Sequence, residues 1–289
     1  MSGFLSSLVR PVRRFLPRSL QGERVVVPVV RLSGVIGAGL PFSQSLTLAG
    51  VSKTLDKAFA MKDAAAVALL INSPGGAPVQ SHLIHKRIRA LAQEKNRHVF
   101  AFVEDAAASG GYMIACAADE IIADPMSIVG SIGVVSASFG FDKAMAKLGV
   151  ERRVYTAGTR KVTLDPFRPE QPEDVERFDA LLRETHTVFA DLVRARRGDA
   201  LKGDDAQLFS GEFWLGGQAL ALGLVDGLGD VRSVLRARYG EKVETPLIQA
   251  GSSLPWRRSG GLSSLVARRG AEGALAAAEE RAMWARFGL

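Results

Sequence analysis

Two glycine-rich turns, each coming after a short apolar segment, restrict this chain to a repeated strand–turn–helix architecture. The first turn covers residues 72–76 and follows the apolar segment 66–71, and the second covers residues 109–111 and comes after the apolar segment 99–103. A helical stretch, residues 79–93, separates them. Because this order of elements gives parallel strands, both turns should lie at the carboxyl edge of one sheet, where α/β proteins place their chemistry. The sequence therefore predicts an α/β fold with a functional site between the turns.

The residues in these turns are suited to acyl-transfer chemistry. Glycines allow backbone N–H groups to approach a substrate closely, and Ser109 stands where a helix should begin, at the positive end of its dipole. As the residue that opens this helix, Ser109 should stabilise it by about 1 kcal/mol relative to alanine. Such an arrangement supplies a nucleophile and an oxyanion hole.

A serine hydroxyl needs a base, and the sequence offers few candidates for that role. The four histidines, His82, His85, His98 and His186, fall on predicted helices or at the far end of a strand, so we interpret them as surface or packing residues. Lys161 is the preferred base, because the loop around it contains apolar residues that could exclude water, and a poorly solvated lysine can act as a general base.

Other reactive side chains are less suited to the site. Lys143 and Lys147 stand four residues apart beside Asp142, which is typical of a solvated helix face. The single cysteine, Cys116, lies just past the second turn and is interpreted as a small buried hydrophobe rather than a catalytic thiol.

The net charge of +7 is confined to the two ends of the chain. Residues 1–24 and 250–289 carry an excess of arginine, whereas residues 25–249 are neutral overall. We therefore divide the chain into a basic amphipathic amino-terminal tail (1–24), a catalytic domain (25–249) and a basic amphipathic carboxyl-terminal tail (250–289). The neutral domain argues against a nucleic-acid partner, while the tails favour an anionic membrane surface.

The chain shows no segment that predicts a membrane span or a secretory signal. No apolar run approaches the roughly 18 residues that cross a bilayer, and charged residues and Pro17 follow Arg13 and Arg14 where a signal needs an apolar stretch. From this we predict a cytoplasmic protein that associates peripherally with the inner membrane surface.

Within the domain, local signals predict several further elements. Thr47 is a good helix cap, residues 153–156 read as a strand, and residues 157–171 form the loop that carries Lys161. Pro172 should begin a long helix that runs to about residue 197, with apolar residues in a stripe along it.

Five short motifs occur in a fixed order along the chain. They are Asn72-Ser73-Pro74-Gly75-Gly76, Ala108-Ser109-Gly110-Gly111-Tyr112, Gly130-Ser131-Ile132-Gly133, Gly158-Thr159-Arg160-Lys161 with Pro166-Phe167, and Gly223-Leu224-Val225-Asp226 with Leu228-Gly229. In order and spacing they resemble the signal peptide peptidase A family, also called protease IV. The resemblance spans roughly residues 25–239 and is closer to the single-length members than to the tandem ones.

The resemblance implies a serine endopeptidase with a Ser–Lys dyad on the Clp protease/crotonase-like fold, with one copy per subunit. It matches Ser109 to the nucleophile, Lys161 to the general base, and the backbone N–H groups of Gly76 and Gly110 to the oxyanion hole. It implies no cofactor and no metal. The implied substrates are signal-peptide remnants or other membrane-derived polypeptides with apolar segments. The implied assembly is a homo-oligomeric ring in which neighbouring subunits share the dyad.

Other functions are compatible with parts of the pattern. A crotonase-like acyl-CoA enzyme would share the oxyanion hole but usually places carboxylates in its site. A non-catalytic membrane-associated scaffold would keep the fold and the tails without needing both Ser109 and Lys161. A Clp-type Ser-His-Asp peptidase is disfavoured, because residues 128–133, where its histidine would fall, contain none.

Overall fold

The computed structural model describes residues 25–37, 46–158, 160–249, 278 and 280–289. The amino-terminal tail and most of the carboxyl-terminal tail lie outside the described residues. The predicted division of the chain into two tails and a domain therefore stays a prediction.

The described residues form a seven-stranded sheet whose main path is parallel. Its strands are β1 (Val29–Ser33), β2 (Ala66–Ser73), β3 (His98–Ala108), β4 (Glu120–Ala123), β5 (Ile128–Gly130), β6 (Phe213–Leu215) and β7 (Gly227–Leu228). The order along the main path is β1-β2-β3-β4-β7. Strand β5 pairs in parallel with the last residues of β3, and β6 pairs antiparallel with β5. The carboxyl end of β3 therefore lies next to β2 on one side and β5 on the other.

Helices alternate with these strands, which confirms the predicted α/β class. They are α1 (Leu48–Phe59), α2 (Pro78–Lys95), α3 (Gly110–Ala115), α4 (Asp142–Leu148), α5 (Pro172–Arg197), α6 (Asp205–Leu208), α7 (Gly216–Ala221) and α8 (Val231–Tyr239). As predicted, the Thr47 hydroxyl accepts a hydrogen bond from the Gly50 N–H and caps α1, and α5 spans the predicted range.

Side chains of the sheet alternate between two hydrophobic clusters, one on each face. On β2, Val67, Leu69 and Ile71 join the larger cluster, which is closed by residues of α1, α2, α3 and α5. Ala66 and Ala68 face the smaller cluster, which α8 covers. Because successive strand residues point to opposite faces, a strand covered on both sides must be apolar at consecutive positions, as β2 is from Ala66 to Ile71.

A buried ion pair fixes the end of α5 against the sheet. The Arg197 side chain is only 5% exposed and donates two hydrogen bonds of 2.8 Å to the Asp226 carboxylate. The same carboxylate accepts a hydrogen bond from the Ile121 N–H at 2.7 Å, at the start of β4. This arrangement anchors α5 so that its preceding turns pass beside the carboxyl end of β3.

Residues 133–171 form a segment, here called the arm, in which no described residue is buried. Its interactions are largely its own: the Phe141 N–H donates to the Pro166 carbonyl at 2.6 Å, and the rings of Phe141 and Phe167 stack at 5.6 Å. The strand predicted at residues 153–156 is wrong, because no described strand pairs with this part of the arm, and Tyr155 is 91% exposed.

Candidate active site

Ser109 occupies a strained turn between β3 and α3. Its φ is 52° and its ψ is −121°, a backbone conformation that costs a residue with a side chain about 1–3 kcal/mol. Its N–H donates to the Gly130 carbonyl at 2.8 Å, which ties the turn to β5. The expectation that Ser109 stabilises the helix as a capping residue is wrong, since its side chain makes no capping hydrogen bond. Capping residues normally have extended backbone angles, which this left-handed turn does not provide.

The first glycine turn lies directly against this serine. A Cβ added to Gly75 would come within 2.8 Å of the Ser109 Cβ, so the approach of the two turns requires glycine at this position. At Gly76, where φ is +144°, an added Cβ would lie 1.9 Å from the Ile36 carbonyl oxygen. The structure therefore brings together the two turns that the sequence predicts as neighbours.

Two backbone N–H groups beside Ser109 have no hydrogen-bond acceptor in the part of the chain that the structure describes. The Ile36 N–H donates to the Gly75 carbonyl at 2.8 Å, and the Ile36 carbonyl accepts from the Ala77 N–H at 2.7 Å. These two bonds involve the residues on either side of Gly76 and leave the Gly76 N–H unused. Among the described residues, neither the N–H of Gly76 nor that of Gly110 is used as a donor. Unused donors next to a nucleophile can stabilise the negative charge that develops on a carbonyl oxygen under attack.

Ser109 lines two cavities of different character. One has a volume of about 280 Å³ and contains the two glycines of the unused donors together with a largely apolar wall, formed by Pro74, Pro78, Met113, Val134, Val135, Phe189 and Met283, with Thr185 and Arg286 as its other polar members. The other has a volume of about 380 Å³, and its polar lining consists of Ser109, Ser131, Arg183, His186, Ser210 and Arg286. We call them the apolar cavity and the basic cavity.

Ser131 is a residue of this site that sequence reasoning missed. It follows β5 as Ser109 follows β3, and the pairing of Ala108 with Gly130 places the two serines at adjacent register positions. Its φ is also 52°, and it is buried. The signal was present in the sequence, because both serines come after a short apolar strand and next to glycine.

The histidines divide into packing residues and one residue of the site. His85 is buried, its Nδ1 donates to the Met113 carbonyl at 2.9 Å, and burial lowers its pKa to about 4. His98 lies 3.0 Å from the Glu120 carboxylate, away from Ser109. His186 is within α5 as predicted, and because α5 passes beside Ser109, His186 lines the basic cavity, a position that the sequence did not predict. Its Nε2 is buried and has no hydrogen-bond partner in the described part of the chain.

The single chain does not bring Lys161 to Ser109. Lys161 lies on the arm, is exposed, and lines neither of the two cavities that contain Ser109. Of the four residues matched to catalysis in the sequence, the structure thus gathers Ser109, Gly76 and Gly110, and leaves Lys161 on a projecting surface.

The remaining reactive group is inert. Cys116 is fully buried, and this burial raises the pKa of its thiol to about 12. It is therefore a packing residue, as the sequence predicts. Among the described residues, no helix combines the length and the apolarity needed to cross a bilayer.

Comparison with known proteins gives one family match. The model of peptidase family S49 matches residues 91–243. A Brucella abortus (strain 2308) protein named Na(+)/H(+) antiporter NhaA is 55% identical over 287 residues, which are 96% of this chain and 39% of that protein. The chloroplastic serine protease SPPA of Arabidopsis thaliana is 30% identical over 237 residues, 79% of this chain and 34% of that protein.

A solved structure of a mutant of the 1510-N membrane-bound stomatin-specific protease aligns with a TM-score of 0.43 at 15% identity, over 78% of this chain and 94% of that one. The chain spans less than half the length of the Brucella and Arabidopsis relatives.

Proposed function

Because this chain belongs to peptidase family S49, we propose that it is a serine endopeptidase in which Ser109 is the nucleophile and Lys161 the general base. Its parallel sheet with flanking helices is the predicted Clp protease/crotonase-like architecture. The observation that carries the proposal is the strained turn at Ser109, whose hydroxyl stands beside two unused backbone donors. Strain of this kind persists where the surrounding structure holds it for a function.

The chemistry follows from these groups. The uncharged Lys161 amine takes the proton of the Ser109 hydroxyl while the oxygen attacks the scissile carbonyl. The N–H groups of Gly76 and Gly110 stabilise the resulting oxyanion, a contribution worth about 3 kcal/mol per donor. The lysine then gives its proton to the leaving amine, and water, deprotonated in turn by the lysine, hydrolyses the acyl-enzyme.

The base is proposed to come from a neighbouring subunit of a ring. The arm that carries Lys161 exposes large apolar side chains, among them Phe139 at 79%, Leu148 at 77% and Tyr155 at 91% exposure. Such side chains collected on one projecting segment are typical of an interaction surface. A head-to-tail contact through the arm would repeat around a closed ring and bring each Lys161 to the next Ser109.

The test is complementation between two inactive variants. Ser109→Ala and Lys161→Ala should each abolish hydrolysis of casein and of an apolar fluorogenic peptide. Lys147→Ala removes another exposed lysine of the arm and should stay active. When the two inactive variants are co-assembled, some interfaces join an intact Ser109 to an intact Lys161, so partial activity should return.

Zero activity in verified mixed oligomers would contradict the shared dyad. His186 is the second candidate for the base, because it lines the same cavity as Ser109 within one chain. An active Lys161→Ala protein together with an inactive His186→Gln protein would assign the base to His186. The pH profile separates the two independently, since a lysine base gives activity that rises into the alkaline range and a histidine base gives a plateau near neutrality.

The apolar cavity supports polypeptides with apolar segments as substrates, such as signal-peptide remnants and other membrane-derived polypeptides. A serine-reactive phosphonate distinguishes this function from the alternatives. Labelling that is lost in Ser109→Ala supports the peptidase. Retention on a CoA resin without labelling would support a crotonase-like acyl-CoA enzyme, and neither result would support a non-catalytic scaffold.

We further propose peripheral association with the inner, cytoplasmic face of a membrane through the basic tails, of which residues 1–24 and most of residues 250–289 lie outside the described residues. Support comes from their charge and from the Brucella relative, since antiporters are membrane proteins. Co-flotation of the full chain with anionic vesicles should occur at low salt, and salt or removal of residues 2–22 should reduce it. A chain that stays free of such vesicles at low salt would contradict this placement.

A further inference from the structure

The basic cavity beside Ser109 has a charge pattern that the proposed catalysis does not explain. Arg183, His186 and Arg286 line it together with the hydroxyl groups of three serines, and its lining contains no carboxylate. A cavity with several donors and no acidic group is suited to an anion, and a carboxylate in particular can accept hydrogen bonds from a guanidinium in a bidentate manner.

The two arginines of this cavity have no carboxylate partner among the described residues. Other arginines of α5 are paired, as Arg177 is with Asp174 and Arg194 is with Asp191 and Asp205. Among the described residues, by contrast, Arg183 and Arg286 form no ion pair. The exposed Arg183 shares a neighbouring surface hollow with three carboxylates, those of Glu170, Glu176 and Asp179, and none of them forms an ion pair with it in the described part of the chain. The site therefore has charge available for a ligand.

His186 adds an observation that points to the same ligand. Its Nε2 is buried in the wall of this cavity and has no hydrogen-bond partner in the described chain. A buried polar atom without a partner carries a desolvation cost, which a ligand that supplies the missing hydrogen bond removes. A carboxylate can accept that bond when the nitrogen carries a proton.

The two cavities meet at Ser109 and share Gly133, Val134, Val135 and Arg286, and each extends from there along different residues. The unused donors of Gly76 and Gly110 belong to the apolar cavity, so the acyl part of a substrate is placed there. The basic cavity then lies where the leaving amine departs. Its volume of about 380 Å³ exceeds that of one side chain, so it can hold both the approaching base and a group of the substrate.

We infer that the basic cavity binds a carboxylate on the leaving-group side of the scissile bond, with Arg183 as its main partner. This inference rests on the proposed function and deepens it by naming the class of substrate: peptides with an apolar residue before the cleaved bond and a carboxylate shortly after it. The carboxylate is either an acidic side chain or the free carboxyl terminus of a short peptide.

Four matched peptides separate the two sources. All have the same apolar residue before the cleaved bond; the residue after it is Glu or Gln, and the peptide ends in a free acid or an amide. The wild-type kcat/KM should be about tenfold higher for the member of a pair that carries the recognised carboxylate, the effect of one charge-assisted contact. Arg183→Gln should remove this preference. Arg232→Gln, which removes an exposed arginine of α8 that lines neither cavity, should preserve it.

Binding measurements make the result independent of catalysis. The Ser109→Ala protein, which cannot cleave, should bind the preferred peptide more tightly than its neutral partner, and adding Arg183→Gln should equalise the two affinities. Equal cleavage and equal binding of all four peptides, or a preference that survives Arg183→Gln, would overturn the inference while leaving the peptidase intact. Cleavage that is absent, or independent of Ser109, would instead overturn the proposed function.

Discussion

The strain at Ser109 can be measured by comparing two substitutions that both remove the hydroxyl. Ser109→Ala keeps the cost of the left-handed turn, because alanine has the same Cβ. Ser109→Gly relieves it, because glycine adopts positive φ freely. Since the hydroxyl makes no capping hydrogen bond, the alanine variant should be about as stable as the wild type.

The expected size follows from two opposing terms. Relief of the conformation at φ 52° and ψ −121° should stabilise the glycine variant by about 1–3 kcal/mol, and the greater entropy of unfolded glycine should cost it about 0.5–1 kcal/mol. We therefore expect the free energy of unfolding of Ser109→Gly to exceed that of Ser109→Ala by roughly 1 kcal/mol, which corresponds to about 2–4 °C in Tm for a domain of this size. Urea denaturation at one protein concentration measures the difference.

Ser52 provides the matched control. It lies in the interior of α1, where its hydroxyl donates to the Leu48 carbonyl at 2.6 Å, so both substitutions there lose the same bond. In an ordinary helical conformation glycine is about 1 kcal/mol less stable than alanine, the opposite sign to that expected at Ser109. If glycine is also the less stable residue at Ser109, the turn holds no strain and the reasoning fails.

Three further substitutions test other parts of the molecule. Burial lowers the pKa of His85 to about 4, so between there and 6.5 the unfolded chain binds a proton that the folded chain does not. The contribution of the neutral, buried His85 to the free energy of unfolding is therefore complete above pH 6.5, and it is about 2 kcal/mol smaller at pH 5. His85→Gln should reduce the stability difference between pH 7.5 and pH 5 in urea denaturation, and an unchanged difference would count against this. Asp226→Ala leaves Arg197 buried without its partner and should lower the free energy of unfolding by about 3 kcal/mol, whereas an unshifted urea midpoint would show that the pair is dispensable. Gly76→Ala, with its Cβ 1.9 Å from a carbonyl oxygen, should cost at least roughly 2 kcal/mol and abolish phosphonate labelling of Ser109; Gly217→Ala, with nothing within 4 Å, is its control, and equal behaviour of the two would refute the steric argument.

The parts of the fold that the sequence predicts well are those fixed by local signals. Helix α5 begins at Pro172, whose φ suits a first helical position, and ends before Gly198, whose φ is 49°. The neighbourhood of the two glycine turns follows from parallel strand order, which local pattern and a right-handed crossover determine together. The sequence alone therefore predicts that Ser109, Gly76 and Gly110 lie at one site.

The errors arise where pairing with distant residues decides the outcome. Val154 and Tyr155 have good strand propensity, yet the arm offers no partner strand. Strand β3 shows the opposite error, a strand that is longer than its apolar segment. It continues through Glu104 and Asp105 to Ala108, because its last three residues pair with β5. The approach of His186 to Ser109 is likewise set by how α5 docks on the sheet, which periodicity along the helix does not reveal.

If Lys161 is the base, as proposed, an arm that holds it away from Ser109 of the same chain has a consequence for the timing of activity. In that case a newly synthesised subunit would carry Ser109 in its strained turn without Lys161 in reach, so it would not hydrolyse the polypeptides around it. We expect activity to appear only above a threshold concentration and to be lost on dilution, with the turnover per subunit increasing as rings form. The arm would then keep the single subunit inactive, as a propeptide does in other proteases. Activation by ring assembly would differ in being reversible, because it requires no cleavage of a peptide bond.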